Sequence, residues 1–484
     1  MSRTLALPVW LVAVLVILAV WAALDRLLIP SVRWILRRRV NKVLDDINTR
    51  LKIAIPPFKL TKRAVLIDRL LYDREVQKTA EALALAEDMP REVVMERVAT
   101  YAQEIVPSFN AYVYFRFGYS LARNVARLLF RVRLGYSDEE GLAALPPKST
   151  VVFLINHRSN MDYILVGYLA AEKAAISYAV GEWARVWPLQ TLVKSMGAYF
   201  VRRNSRDALY RKVLERWIAM ATEAGVTQAV FPEGGLSRDG KLRPPKVGLL
   251  DYMLRSFDPS GERDIAFIPV GINYDRTFED RSFLAEREGA ARRGGIAAAA
   301  GTLRFVAKNA VLMARNRWHR FGYACVNFGS PVSLKRWLTA QKIDLLALSR
   351  EDRGACVTAL AEHLMGQIAR VIPVVPVSLV ARAFVSDPRR SWSELELKAR
   401  SLEEMRELAA SGAHVYVPRG DQDYAIDVGL RMLTLRRLVS EREGLFTPVA
   451  AELSLLEYYA NSIEHLFGRS IASAPAPLRS APRG

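Results

Sequence analysis

His157 and Asp162 are the pair from which chemistry can be argued. In VVFLINHRSNMDYILVGYL a histidine follows a β-branched apolar run, an aspartate comes five residues later, and a helix-like apolar stretch comes next. A neutral imidazole near pH 7 can take a proton from an alcohol, and a carboxylate that holds the ring in one tautomer makes it a better base. Such a base contributes about 10²- to 10⁴-fold to a rate. On an ideal helix a five-residue step turns about 500°, so the two side chains would not share a face. They can meet only if His157 lies in the loop before the helix. Ser159 and Asp162 have the Ser-x-x-acid spacing of a capping box, which predicts Ser159 as the N-cap and leaves His157 outside the helix. Taken alone, the spacing carries little: in a chain with five histidines, average aspartate usage yields such a pair in roughly one chain of four.

Three further blocks accompany this pair. FPEGGLSRDGKLRPPKVGLLD (231–251) ends a strand at Phe231 and Pro232 and then turns through Glu233, Gly234 and Gly235, small residues that let backbone N–H groups approach a ligand. Ser237, Arg238, Lys241, Arg243 and Lys246 surround that turn with donors, a composition suited to a phosphate. A solvated basic loop would look the same in isolation. GAYFVRRNSRD (197–207) places Arg202 and Arg203 after a short apolar strand, and arginine suits planar, bidentate recognition of phosphate. IPVGINYD (268–275) carries Pro269 inside a strand and no evident reactive group. There is no Walker loop, no GxGxxG after a strand, no HExxH and no GxSxG, which counts against ATP, nicotinamide, zinc and serine-hydrolase chemistry. His319, His363, His414 and His465 lack a partner pattern.

The elements that must position these residues show in the alternation of the chain. VVFLI (151–155), AISYAV (175–180), AYFV (198–201), QAVFP (228–232), IAFIPVGI (265–272) and YACVNF (323–328) read as strands, and DALYRKVLERWIAMATEA (207–224) as one of the helices between them. Strands alternating with helices predict an α/β fold: a central mixed, mostly parallel sheet flanked by helices, with ligands at the loops beyond the strand carboxyl ends. Residues 31–135 read as a helical N-terminal region, 136–335 as the α/β domain and 336–468 as a helical C-terminal region. Within the first, residues 109–136 mix aromatics and arginines with apolar runs. That pattern fits a helix on a membrane surface or an ordinary buried helix equally well. Residues 281–302, rich in Ala, Gly and Arg, read as an insertion. The Pro-, Ala- and Ser-rich tail, 469–484, has no core-forming pattern.

Residues 5–24, LALPVWLVAVLVILAVWAAL, carry no charge. At 1.5 Å rise that run spans about 30 Å, the thickness of a hydrocarbon core, so residues 1–30 are expected to form one N-terminal transmembrane helix. Arg26, Arg33, Arg37, Arg38, Arg39 and Lys42 come after it, which places the bulk of the chain in the cytoplasm at the inner membrane. A net charge of +19 implies anionic partners: nucleic acid, anionic lipid or phosphorylated substrates. With two cysteines, Cys325 and Cys356, in no CxxC pattern, neither a disulfide framework nor a zinc site is expected.

The four blocks in this order resemble the glycerolipid acyltransferase superfamily: NHRSNMD is similar to its His-x4-Asp motif, GAYFVRR to its second block, FPEGGLSRDGK to its third and IPVGINYD to its fourth. HRS in the first and FPEGG-x-SR in the third resemble the glycerol-3-phosphate branch, and PVVPVSLVARAFV (373–385) looks like that branch's C-terminal extension. The resemblance implies that His157 deprotonates the sn-1 hydroxyl of glycerol 3-phosphate and Asp162 orients the imidazole. It implies that Arg202, Arg203, Arg238 and Lys241, with Ser237, bind the acceptor, that Glu233 and Gly234 line its site, and that Pro269 lines the acyl or carrier side. The donor would be an acyl-CoA or acyl carrier protein thioester, with no metal or cofactor, membrane phospholipid as a partner and no nucleic acid. Two alternatives stand beside this reading. One is the same chemistry on dihydroxyacetone phosphate or lysophosphatidic acid. The other is a non-catalytic, membrane-tethered basic protein that grips anionic lipid or nucleic acid.

Overall fold

The computed structural model describes residues 53, 55–171, 174–181, 189–202, 205–287 and 320–467, and a compact unit begins at Ile55. The expected membrane span and tail, with most of the Ala/Gly/Arg-rich insertion, lie outside the described residues. Among the described residues no helix is long and apolar enough to cross a membrane.

After a single helical turn at Pro57–Leu60 come α1 (Arg63–Leu71), α2 (Arg74–Ala86) and α3 (Arg91–Ile105). Asp73 caps α2 by accepting from the N–H groups of Glu75 and Val76, which satisfies two donors that the first turn cannot use internally. Their apolar rows, Val76, Ala80 and Ala84 on α2 and Val94, Val98 and Ala102 on α3, join the main hydrophobic core. A π-helical turn (Val113–Gly118) leads into α4 (Tyr119–Leu129).

The helical pattern is expected to continue to residue 135, but Arg131–Ser137 is strand β1, paired parallel to β7 (Tyr323–Phe328). This strand lies at one end of the sheet order and is mostly exposed, so it has no buried apolar run to set it apart from the helix before it. The remaining strands fall where alternation predicts them: β2 (Thr150–Ile155), β3 (Ser177–Gly181), β4 (Tyr199–Val201), β5 (Gln228–Val230) and β6 (Ile265–Tyr274). The two-residue β8 (Val332–Ser333) completes an eight-stranded sheet of order β1-β7-β6-β2-β5-β3-β4, with β8 on β6. Strands β2 to β6 run parallel, and β7 and β8 run antiparallel to β6, so the sheet is mixed and mostly parallel.

The crossovers carry α5 (Asp162–Ala170), α6 (Leu189–Ser195), α7 (Ala208–Glu223) and α8 (Gly248–Arg255), and α9 (Asp280–Arg287) comes after β6. Every residue of β2 and β6 is buried, as covering a parallel sheet on both faces demands. Pro269 does not interrupt β6. It sits between the residues that pair with β8 (Ala266, Phe267) and those that pair with β7 (from Val270), where the ladder changes partner and a missing N–H costs little.

The C-terminal region is helical, as expected: α10 (Leu334–Gln341), α11 (Arg350–Val371), α12 (Pro376–Ser386), α13 (Glu394–Ala410), α14 (Gln422–Leu435) and α15 (Leu453–Glu464). It also holds a small antiparallel sheet of β9 (Trp392–Ser393), β10 (Val439–Arg442) and β11 (Leu445–Pro448), which the helical reading does not include. Helix α15 packs on α12, and its Asn461 donates to the Asp239 carbonyl of the loop after β5.

Candidate active site

Three adjacent parallel strands, β5, β2 and β6, end on one side of the sheet, and each delivers part of the site. Beyond β2, Asn156 prolongs the strand with its side chain: Nδ2 donates to the Ile272 carbonyl at 2.9 Å and Oδ1 accepts from the Ile272 N–H at 2.7 Å. That clasp fixes the direction of the turn that carries His157. His157 Nδ1 lies 2.9 Å from Asp162 Oδ2, with the histidine 2% exposed and the aspartate fully buried. The same Oδ2 accepts from the N–H groups of Arg158 (2.8 Å) and Ser159 (3.0 Å), and Oδ1 accepts from the Tyr274 hydroxyl at 2.5 Å. Burial, and then the charge of Asp162, push the Tyr274 phenol well above its ordinary value, so it stays a donor. With Nδ1 committed to the carboxylate, Nε2 is the nitrogen left for an alcohol.

Ser159 is not the N-cap. Asp162 itself begins α5, with Met161 before it making no side-chain cap. Half of the expected capping box forms, Ser159 N–H to Asp162, but the Ser159 hydroxyl donates to Glu279 Oε2 at 2.7 Å. The turn is therefore held by three carboxylates, Asp162 and Glu233 buried and Glu279 partly so. The N–H groups of His157, Arg158, Ser159 and Asn160 donate in succession to Glu233 (2.8 Å), to Asp162 twice, and to Glu279 (3.0 Å). Burial pushes both Glu233 and Glu279 up to about 7, opposed by these same hydrogen bonds. Each N–H left unpaired in such a place would cost about 1–3 kcal/mol, which makes the turn a rigid base for the imidazole.

His157 faces a cavity of about 320 Å³, the lower end of the usual range for small-molecule sites. The ring lies 4.0 Å from Phe231 and meets Tyr163 edge-on at 5.6 Å. Val180, Val201, Leu214 and Leu249 supply apolar wall, and Arg202, Arg211 and Lys246 supply cations. Gly234 lines the same cavity at φ +64°, and a Cβ there would sit 2.5 Å from Lys246 Cδ, so only glycine lets the lysine stem cross the turn.

The acyltransferase family description matches residues 137–273, and the glycerol-3-phosphate acyltransferase C-terminal region matches residues 309–474. A glycerol-3-phosphate acyltransferase of Xanthomonas axonopodis pv. citri is 27% identical over 455 residues, covering 90% of this chain and 49% of the relative. Another, from Aeromonas hydrophila, is 26% identical over 432 residues, covering 87% and 52%. Over most of its length the chain is similar to glycerol-3-phosphate acyltransferases. It spans about half the length of the curated relatives it matches. The 1-acyl-sn-glycerophosphate (LPA) acyltransferase PlsC from Thermotoga maritima aligns over 62% of this chain and 95% of that one at 17% identity, with a TM-score of 0.29, too low to equate the two folds.

Against the family's four blocks, the structure gathers some expected residues and separates others. His157, Asp162, Gly234 and Arg202 come together at the cavity. Arg202, however, is bound to Glu104 by Nε (2.9 Å) and Nη2 (2.6 Å) and lies over the Tyr210 and Tyr101 rings. Those hydrogen bonds hold its guanidinium well above the ordinary value, and its fork is already filled by Glu104. Arg203 lies outside the described residues. Glu233 turns inward to the N–H groups of His157 and Arg243 and does not line the cavity. Ser237 is buried: its N–H donates to the His157 carbonyl at 2.9 Å and its hydroxyl to the Lys241 carbonyl at 2.7 Å, joining the third block to the first. Arg238 is exposed on that loop, and Lys241 pairs with Glu464 at 2.8 Å. Pro269 is buried in β6, away from the cavity wall.

Lys246, one of the donors expected around the Glu233–Gly235 turn, does line the cavity, whereas Arg211, Tyr274 and Glu279 do not stand out in the sequence as members of the site. Lys246 stands at the end of the third block among other cations. Tyr274 is a hydroxyl at the carboxyl end of the fourth block, and that position is its available signal. Glu279 comes next in RTFED with nothing local to mark it.

Proposed function

We propose that the chain transfers a fatty acyl group from a thioester, acyl-CoA or acyl carrier protein, to the sn-1 hydroxyl of glycerol 3-phosphate, giving lysophosphatidic acid. The observation that carries this reading is the His157–Asp162 pair, 2.9 Å apart, opening onto a cavity with an apolar wall and a cationic side. Nε2 of His157 takes the hydroxyl proton as the alkoxide oxygen attacks the thioester carbonyl. The tetrahedral oxyanion then collapses, the C–S bond breaks, and the imidazolium returns its proton to the leaving thiolate. Asp162 stabilises the imidazolium and keeps the tautomer. Lys246 and Arg238 supply charge for the acceptor phosphate, and the apolar wall receives the start of the acyl chain. Direct transfer calls for no covalent acyl-enzyme and no metal ion.

Residues 5–24 are proposed as an anchor in the inner membrane, with this site on the cytoplasmic side. That placement suits a product that enters the lipid phase. An acyl-transfer assay on the full chain, with glycerol 3-phosphate, dihydroxyacetone phosphate and lysophosphatidate as acceptors and both donor types, tests the reading. Transfer to glycerol 3-phosphate is expected to dominate. Reaction with lysophosphatidate alone would reassign the acceptor.

A further inference from the structure

Helix α4 and the π-helical turn before it carry a face that the described residues leave uncovered. Ala122 and Ala126 are buried on the side that packs against α5, the helix begun by Asp162. Tyr119 and Arg127 meet the Tyr168 ring of α5 at 5.8 and 5.7 Å. Phe117, Leu121 and Leu128 stand out at 59, 52 and 41% exposure. Their spacings of four and seven align them in one row along the helix. Arg116, Arg123 and Arg127, also exposed, repeat at seven and four and form a second row beside the first. Tyr112, 39% exposed, extends the surface with its ring 6.0 Å from Phe117. Between Glu104 and Asp138 the chain has five arginines and no acidic residue, so this segment contributes only positive charge.

We propose that this face of α4 seats the protein on an anionic bilayer, with Phe117, Leu121 and Leu128 among the acyl chains and the arginines at headgroup phosphates. Bulky apolar residues in one row with cations alongside are what an interfacial helix needs, and the cationic row makes the contact dependent on lipid charge and salt. An acidic protein would satisfy the arginines but gives no reason for three large apolar side chains turned to solvent, so the bilayer is the better occupant. The contact is separate from the expected span at residues 5–24 and independent of the acyl-transfer reading. Since α4 packs on α5, it sets the catalytic turn one helix away from the lipid.

The test uses the full chain carrying Leu121→Cys. Both native cysteines are buried, Cys325 at 0% and Cys356 at 3%, so an environment-sensitive fluorophore attaches at position 121. With vesicles of phosphatidylcholine and phosphatidylglycerol the probe is expected to shift to the blue and be quenched by spin-labelled lipid. Both effects should weaken on pure phosphatidylcholine and as salt rises. The same probe at Leu395, 79% exposed on α13, should stay aqueous. Equal behaviour at the two positions overturns the proposal. So does a probe shifted by acyl carrier protein but not by vesicles, which would assign the face to a protein. The R116Q/R123Q/R127Q variant should lose the dependence on lipid charge, and keeping it would count against the seat. Leu121→Asp with Leu128→Asp should keep activity in detergent and lose about threefold or more on vesicles. If that variant fails to fold, the labelled Leu121→Cys protein still decides.

Discussion

The turn from His157 to Asp162 and the loop from Leu236 to Lys246 lie side by side and are built on opposite principles. In the turn, successive N–H groups meet buried or partly buried carboxylates, and Asp162 is met by the His157 ring, two N–H groups and the Tyr274 hydroxyl. In the loop, Arg238, Lys241, Arg243 and Lys246 are exposed, and the Lys241 ammonium pairs at the surface with Glu464. On the proposed function, the difference teaches a division of labour: proton transfer needs a fixed geometry, whereas gripping a mobile phosphate needs charge that can move with it.

The sharpest way to break this comparison is His157→Ala. Acyl transfer should fall about 10²- to 10⁴-fold, with the thermal transition little changed; unchanged transfer would remove the imidazole from the mechanism. Tyr274→Phe takes one donor from the Asp162 carboxylate. It should lower kcat about tenfold with KM for either substrate unchanged, and cost about 1–2 kcal/mol in a denaturant titration. On the loop, Arg238→Ala and Lys246→Ala should each raise KM for the phosphorylated acceptor about tenfold, about 1.4 kcal/mol, and leave the donor KM unmoved. Equal effects on both substrates would make these residues structural.

A smaller effect concerns pH. Glu233 and Glu279 have ordinary values of 4.5, raised by burial to about 7 in the fold. Between those values the folded protein keeps protons that the unfolded chain has released, so stability should fall as pH rises from about 5 to about 7 and level off above. Glu279→Gln should flatten that slope in melting curves taken across the range. Lys241→Ala should do least, within about 0.5 kcal/mol and without a change in KM, because its exposed pair is screened by water.

The parallel strands β2 to β6 are legible in the sequence because buried β-branched runs announce themselves. β1 is not, because a mostly exposed edge strand has no such run. In the site, the His157–Asp162 meeting is legible from local spacing, since both ends lie within one turn. Glu279 is not, because its partners Ser159 and Asn160 are 120 and 119 residues away and only the sheet brings them near. Ser159 shows the same limit: its spacing fits an N-cap, but its hydroxyl accepts from the Met161 N–H at 3.1 Å and donates to Glu279, a carboxylate from a distant segment. Arg202 reads as a phosphate ligand until Glu104, also far off in sequence, is seen to fill its fork.

Gly240, at φ +86°, lies so close to α15 that a Cβ would fall 1.9 Å from the Tyr458 carbonyl oxygen. Its own carbonyl accepts from Arg158, the neighbour of His157, whose guanidinium rests 4.9 Å from the Tyr458 ring. The loop and the final helix are thus cut to each other's backbone and must be exchanged together: a hybrid that grafts a foreign C-terminal segment onto this sheet inherits a mismatch one residue from His157.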